Sequence, residues 1–295
     1  MFIVSALLVL TLVTGSLIFQ EQAASAFIAL RNWITSSFDV FFIVSANLFA
    51  VFCFMLVISP YGRIRLGGKT ARPRYSYVSW LAMLFAAGVG IGLMFFGVLE
   101  PVTHTLNPPL GIDPANGSVA RSAGMASAIF HWGLHAWAIY AVVGLALAFF
   151  SFNRGLPLTL RSAFYPLFGK AVWGPFGHII DTIAVLATVF GLSTSLGFGA
   201  EQIAAGINYL FGVEDTNMFK ISLIVIIISV AMLSVVAGMD KGIKRLSELN
   251  MGLAGALMIF VIVTGPALAI FSAVAQAAKD YMLYVPQLSS WTGRE

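Results

Sequence analysis

AAGVGIGLMFFGVLEP, residues 86–101, sets Gly88, Gly90, Gly92 and Gly97 into a segment whose other residues are almost all apolar helix formers. Glycine costs a helix interior about 1 kcal/mol relative to alanine. The weakest stretch of helix therefore falls inside a run, residues 78–99, of the length and apolarity that a membrane helix needs.

The rest of the chain supports reading that run in lipid. Soluble domains carry about 25% charged residues. This chain has 295 residues, 9% of them charged and 59% hydrophobic, with a mean hydropathy of +0.93. Such a composition cannot clothe a water-facing surface. One cysteine, Cys53, excludes an internal disulfide framework and any four-cysteine metal site. The formal charge of +4 is spread among short loops, which argues against a nucleic-acid partner. Seven spans are expected, at residues 2–19, 35–59, 78–99, 125–150, 175–200, 219–238 and 250–274. AASA at 23–26 resembles a signal-peptide cleavage site, but no basic residue precedes the first apolar run, so an uncleaved helix is expected.

Basic residues orient the spans. The 61–77 loop holds Arg63, Arg65, Lys69, Arg72 and Arg74; the 151–174 loop holds Arg154, Arg161 and Lys170; the 239–249 loop holds Lys241, Lys244 and Arg245. Eleven of the 16 basic residues thus fall on one side, which the positive-inside rule makes cytoplasmic together with the N-terminus. The tail, DYMLYVPQLSSWTGRE, reads as the start of an extracellular segment from residue 279 leading to a further helix, and the chain as a fragment.

Gly88, Gly90 and Gly92 fall at about the bilayer midplane of the third span. Their GxGxG spacing is not a dinucleotide fingerprint. Small residues line helix–helix interfaces in membranes, and Gly88 and Gly92 share one face. Gly90 lies about 200° round the helix from Gly88, so packing leaves it without a role. The alternative is a loosened midmembrane segment whose backbone meets an ion or an anionic group, as in the discontinuous helices of secondary transporters.

HWGLHAWAIYAVVG, residues 131–144, opens the next span. On a continuous helix Trp132, Tyr140 and Trp137 fall at roughly 0°, 80° and 140°. One shared side suits either a receptacle for a quaternary ammonium or interfacial anchoring. His131 and His135, at i and i+4, supply two metal ligands with nothing to complete a set, so hydrogen bonds to neighbouring helices are expected. Asp181 and Glu201 bracket the fifth span and Asp39 opens the second. All three read as solvated interfacial acids rather than relay carboxylates. Thr188, Ser193, Thr194 and Ser195 offer oxygens to sodium or bond their own helix.

AAGVGIGLMFFGVLEP, FHWGLHAWAIYAVVGLALA, IDTIAVLATVFGLSTSLGFGAEQIAAG and GMDKGIKRLSELNM, in that order, resemble the betaine/carnitine/choline transporter family over about residues 35–295. The resemblance implies an all-α, multi-pass membrane protein with the leucine-transporter-like inverted-repeat fold. Seven of twelve helices are present: two peripheral helices in residues 1–60, then, beyond the basic loop at 61–77, the first five-helix repeat in residues 78–278. It implies that Gly88, Gly90 and Gly92 are an unwound stretch beside the substrate, and that Trp132, Trp137 and Tyr140 are the aromatic box for a trimethylammonium group. Ala86 and Val89 match positions lending backbone carbonyls to sodium, although many sodium-coupled carriers have methionine at Val89. Thr188 matches a hydroxyl of a second sodium site, whose partner position is Leu192 here. Choline carriers often have aspartate where this chain has Gly92, which favours a zwitterion.

The expected function is therefore sodium-coupled uptake of a zwitterionic osmolyte such as glycine betaine, by a homotrimer in a bacterial cytoplasmic membrane, with no cofactor besides the coupling ion. The alternatives are a sodium-independent or proton-coupled carrier of choline, carnitine, dimethylsulfoniopropionate or ectoine, and a seven-helix receptor or scaffold. An enzyme with a metal on His131 and His135 is a weaker third.

Overall fold

Backbone amides in lipid have no water to bond, so each segment must satisfy its own, and helices do so. The computed structural model describes residues 2–292, with the side chains of Val89, Ile91 and Leu93 outside the description; Arg294, one of the 16 basic residues, lies beyond it. The described residues contain helices and no strand. In order these are α1 (Phe2–Ile18), α2 (Gln20–Ser37), α3 (Asp39–Ile58), α4 (Tyr77–Leu106), α5 (Gly117–Trp132), α6 (Leu134–Ala148), the short α7 (Leu160–Ala163) and α8 (Tyr165–Phe168), α9 (Pro175–Phe211), α10 (Asn217–Val236), α11 (Lys244–Thr264) and α12 (Ala267–Leu288). Local chemistry sets several ends. Ser76 accepts a hydrogen bond from the Ser79 N–H at 3.2 Å to cap α4, and Thr216 caps α10 through Phe219 in the same way. Gly212, at φ 68°, closes α9 in the left-handed conformation.

Among the described residues, five helical stretches are long and apolar enough to cross a membrane: Asp39–Ile58, Gly117–Asn153, Pro175–Phe211, Asn217–Val236 and Met239–Thr264. The molecule is an all-α, multi-pass membrane protein. Three of the seven expected spans differ, the last because residues 250–274 run across the break between α11 and α12. The first is 17 residues long and turns by 118° into α2, so the pair counts as one bent span at most. Residues 20–34, which lie between two expected spans, are helical, and no glycine or proline interrupts them. The third continues as α4 but departs from helical backbone at Gly90 (φ −53°, ψ −113°), leaving Tyr77–Gly88 as its uninterrupted apolar part.

The end of the chain also differs from expectation. Residues 279–288 belong to α12, a 22-residue helix, rather than to a loose segment. Gly265 and Pro266 separate it from α11, because proline carries no N–H for the ladder. α12 packs along α5 and buries Asp280, Tyr281 and Leu288.

α5 holds the bundle together. Ala120, Ala123, Gly124, Ala126, Ser127 and Ala128 are all buried, and small residues let two backbones approach closely. At Gly124 a Cβ would sit 2.8 Å from the His104 carbonyl carbon and the Thr105 nitrogen of α4. Gly124→Ala is expected to cost about 1–3 kcal/mol by forcing α4 and α5 apart. A lowered thermal unfolding midpoint in detergent checks this, and an unchanged midpoint refutes it.

The three basic loops meet at one end of the bundle. Asn153 accepts from the Gly67 N–H at 2.8 Å and donates to the Arg65 carbonyl at 3.0 Å, joining the first loop to the second. Arg74 pairs with Asp240 at 2.9 Å, joining the first to the third. That Asp240 carboxylate holds the Arg74 guanidinium above its ordinary range.

Candidate functional site

The glycines of α4 divide as their spacing suggests. A Cβ on Gly88 would overlap the six-membered ring of Trp137, and a Cβ on Gly92 would overlap that of Trp132. Each glycine is the seat of one indole, and the seats lie four residues apart. Gly90, between them, meets no atom within 4 Å of a built Cβ, and here the backbone leaves the helix. Because ψ of Gly90 orients the following peptide, that peptide's N–H and C=O are turned out of the helical ladder. Packing accounts for Gly88 and Gly92; the irregular backbone belongs to Gly90. Ala86 is half-buried one turn before it, and Val89, whose side chain is outside the described residues, adjoins it.

The aromatic residues do not share a continuous helix. Gly133 (φ −97°, ψ −143°) separates α5 from α6, so Trp132 ends one helix while Trp137 and Tyr140 lie on the next. The helical-wheel angles expected for Trp132 therefore do not apply. α4 nevertheless receives both tryptophans, Trp137 at Gly88 and Trp132 at Gly92, and Tyr140 lies against Trp137. Trp137 and Tyr140 lie with ring centroids 5.7 Å apart and remain 38% and 62% exposed, so they keep apolar surface for a further occupant. Tyr281 of α12 brings its hydroxyl to 3.5 Å from where a Cβ on Gly133 would lie, and burial pushes its phenol upward.

Sequence reasoning passed over Glu100. It is buried on α4, and its two oxygens take different partners. Oε2 accepts from the Trp132 indole N–H at 2.8 Å, and Oε1 pairs with His131 Nδ1 at 2.8 Å. The available signal was a carboxylate at residue 100, directly beyond the apolar run 78–99, which has to find donors in the fold. α9 supplies another unforeseen support. Phe198 stacks on Phe95 at 4.9 Å and meets Phe96 edge-on at 5.5 Å, while Phe96 lies 5.9 Å from Trp132. Gln202 donates to the Met94 carbonyl at 3.0 Å.

The remaining candidates fall elsewhere. His135 Nε2 lies 3.0 Å from Asn47 Oδ1 of α3 and 3.4 Å from Ser289 Oγ, so the two histidines turn to separate partners across the Gly133 break. Among the described residues no three histidine, cysteine or acidic side chains are grouped for a metal ion. Asp181 is not a solvated interfacial acid: it is buried and paired with Arg161. Glu201 is exposed, and Asp39 accepts from the Val40 N–H at 2.7 Å as α3 begins. Thr188, Ser193 and Thr194 donate to the carbonyls of Ala184, Val189 and Phe190 on their own helix, at 2.8, 2.8 and 3.0 Å.

A broken apolar helix with the tryptophans of a second broken stretch set against its glycines, in a bundle of long apolar helices, defines a multi-pass membrane protein. The family model of the betaine/carnitine/choline family transporters (BCCT) matches residues 1–295, and the chain belongs to that family. Its members are transporters rather than enzymes. A glycine betaine/proline/choline transporter of Vibrio parahaemolyticus is 49% identical over the whole of this chain and 56% of its own length. The glycine betaine transporter of Acinetobacter baylyi is 45% identical over 90% of this chain and 41% of its own length. An osmo-dependent choline transporter of the same organism is 39% identical over 98% and 42%. The chain thus spans about half the length of these relatives.

Proposed function

We propose that this chain forms the first half of the walls of a secondary transporter for a zwitterionic quaternary-ammonium osmolyte, of which glycine betaine is the best fit. The observation that carries the reading is the pairing of Trp137 with Gly88 and Trp132 with Gly92 around the open, non-helical Gly90. Aromatic faces attract an onium head by cation–π interaction, about 2 kcal/mol or more per good contact when desolvated. The backbone turned out at Gly90 supplies uncharged donors and acceptors for the carboxylate and for a cation.

The seat at Gly92 bears on specificity. Trp132 occupies the space that a side chain there would need, so a carboxylate has no room at this position. A pocket without that negative charge favours a substrate carrying its own carboxylate over choline. The names of the relatives at 49% and 45% identity both include glycine betaine, and the first includes proline and choline as well.

Sodium is the proposed coupling ion, held in part by the carbonyls of Ala86 and Val89. Thr188 donates its proton to Ala184 and keeps oxygen lone pairs for a second ion. The proposed setting is a bacterial cytoplasmic membrane, with the convergent basic loops and the N-terminus inside, in a homotrimer. Residues 1–60 serve as peripheral helices, and residues 78–278 as a five-helix repeat that rocks against an inverted partner repeat.

Trp137→Ala tests the site directly. In transporter-deficient cells expressing the whole reading frame that encodes this chain, the apparent KM for glycine betaine is expected to rise about tenfold or more, the loss of one good cation–π contact. Unchanged KM at equal membrane level would sink the role.

A further inference from the structure

Trp132 and His131 are the last two residues of α5, next to the Gly133 break, where a helix end has lost its continuing ladder. A side chain at such an end needs an external anchor to hold one rotamer. Glu100 is placed to be that anchor. It lies on α4, eight residues beyond the seat at Gly92, and is itself 8% exposed. The carboxylate spans both residues: one oxygen takes the indole N–H and the other takes the imidazole. The Trp132 ring is thus pinned at two points of one helix, its six-membered ring over Gly92 and its N–H on Glu100.

Neither helix packing nor a surface ion pair accounts for this contact. A carboxylate needed only for helix packing has no reason to select the indole N–H, because Phe96 already covers the ring from the side. A solvated surface pair would leave the acid exposed, yet here the histidine is the exposed partner, at 63% against 11% for the side chain of Glu100. The buried member is the one that fixes the tryptophan. Charge-assisted hydrogen bonds of this kind are the stronger ones and carry directional information.

We infer that Glu100 is a positioning residue for substrate binding: it acts through Trp132, holding the indole on Gly92 so that the two tryptophans seated against α4 stay in register across the Gly133 break. The inference rests on the transporter reading above. His131 contributes by holding the second oxygen, which keeps the first directed at the indole.

The test is a double-mutant cycle on glycine betaine uptake by the whole reading frame, with KM and Vmax separated and membrane level measured. Loss of a hydrogen bond that leaves its buried partner unsatisfied is expected to make Glu100→Ala raise KM by about tenfold. Trp132→Phe keeps a ring and removes the N–H. In that background Glu100→Ala is expected to add less than about threefold, because coupled residues are not additive. Glu100→Gln keeps an oxygen for the indole, and its KM is expected to stay within about threefold of wild type. This variant carries the test if the alanine variant fails to reach the membrane. Multiplicative effects of Glu100→Ala and Trp132→Phe, or a Glu100→Gln KM as high as that of the alanine variant, would overturn the inference. Failure of the transporter reading is distinguishable: Trp137→Ala would then leave uptake unchanged as well, whereas a defective Trp137→Ala beside an unaffected Glu100→Ala removes Glu100 alone.

Discussion

Gly88→Ala is expected to abolish glycine betaine uptake while Gly90→Ala leaves the packing of the site intact. The added methyl at Gly88 meets three atoms of the Trp137 ring at once. An indole is rigid and cannot fold away from the overlap as a flexible side chain does. The ring must either leave the seat or push α6 from α4, and α6 is backed by α3 on another side. Overpacking of this kind costs about 1–3 kcal/mol in stability. The functional loss is larger, because the displaced ring is the one proposed to hold the onium head. Gly90 meets nothing, so a loss of uptake in Gly90→Ala reports on backbone geometry rather than on crowding. Combining Gly88→Ala with Trp137→Phe, a smaller ring, is expected to recover the unfolding midpoint in detergent without recovering wild-type affinity. Wild-type uptake by Gly88→Ala would show that Trp137 does not sit where the structure has it.

Much of this site was legible in residues 86–101 because membrane helices allow so few exceptions. In this helix the glycines take two roles, a seat for a neighbour and a place where the backbone yields. Gly88 and Gly92 share a face and each receives a tryptophan; Gly90 points elsewhere and carries the irregular backbone. Periodicity failed where a helix was assumed to continue. Gly133 lies inside the expected span 125–150, yet it ends α5, so the wheel that grouped Trp132 with Trp137 and Tyr140 was built on a helix that is not there. Trp132 and Trp137 instead meet α4 separately, at Gly92 and Gly88, contacts which a single-helix argument does not contain.

Polar partners were legible least of all. A buried carboxylate declares that it needs donors but not which ones. Glu100 finds His131 and Trp132 31 and 32 residues later, and Asn47 finds the Ser289 carbonyl 242 residues away, at 2.8 Å. Such pairings follow from how helices lie against each other, which amphipathic pattern specifies weakly when nearly every face is apolar. α2 was missed for a related reason. Residues 20–34 are too polar for a span, and length and hydropathy were the criteria applied, whereas helix formation needs neither.

Asp181 shows how far a misplaced acid matters for stability. Located one turn into α9, it accepts from the backbone N–H of Arg161 at 3.1 Å and from the guanidinium Nε of the same residue. The two side chains are 11% and 6% exposed, so this is a buried ion pair. His178 Nδ1 lies 3.1 Å from the other side of the guanidinium. Asp181→Ala strips the counter-charge from a buried cation, and breaking a buried pair from one side costs about 3–5 kcal/mol. That is the largest stability effect expected from a single substitution in the chain, and it should appear as a sharply lowered unfolding midpoint and reduced membrane level. Two companion variants separate charge from shape. Asp181→Asn keeps an oxygen for the Arg161 N–H and is expected to lose less. The double variant Arg161→Met with Asp181→Ala removes both charges and is expected to be more stable than Asp181→Ala alone, because the uncompensated cation is gone. Molecules that do reach the membrane should keep a wild-type KM, since the pair anchors the 151–174 loop to α9 and touches neither tryptophan seat. A raised KM in Asp181→Ala would instead place the pair in communication with the substrate site through α9, whose Phe198 and Gln202 bear on α4.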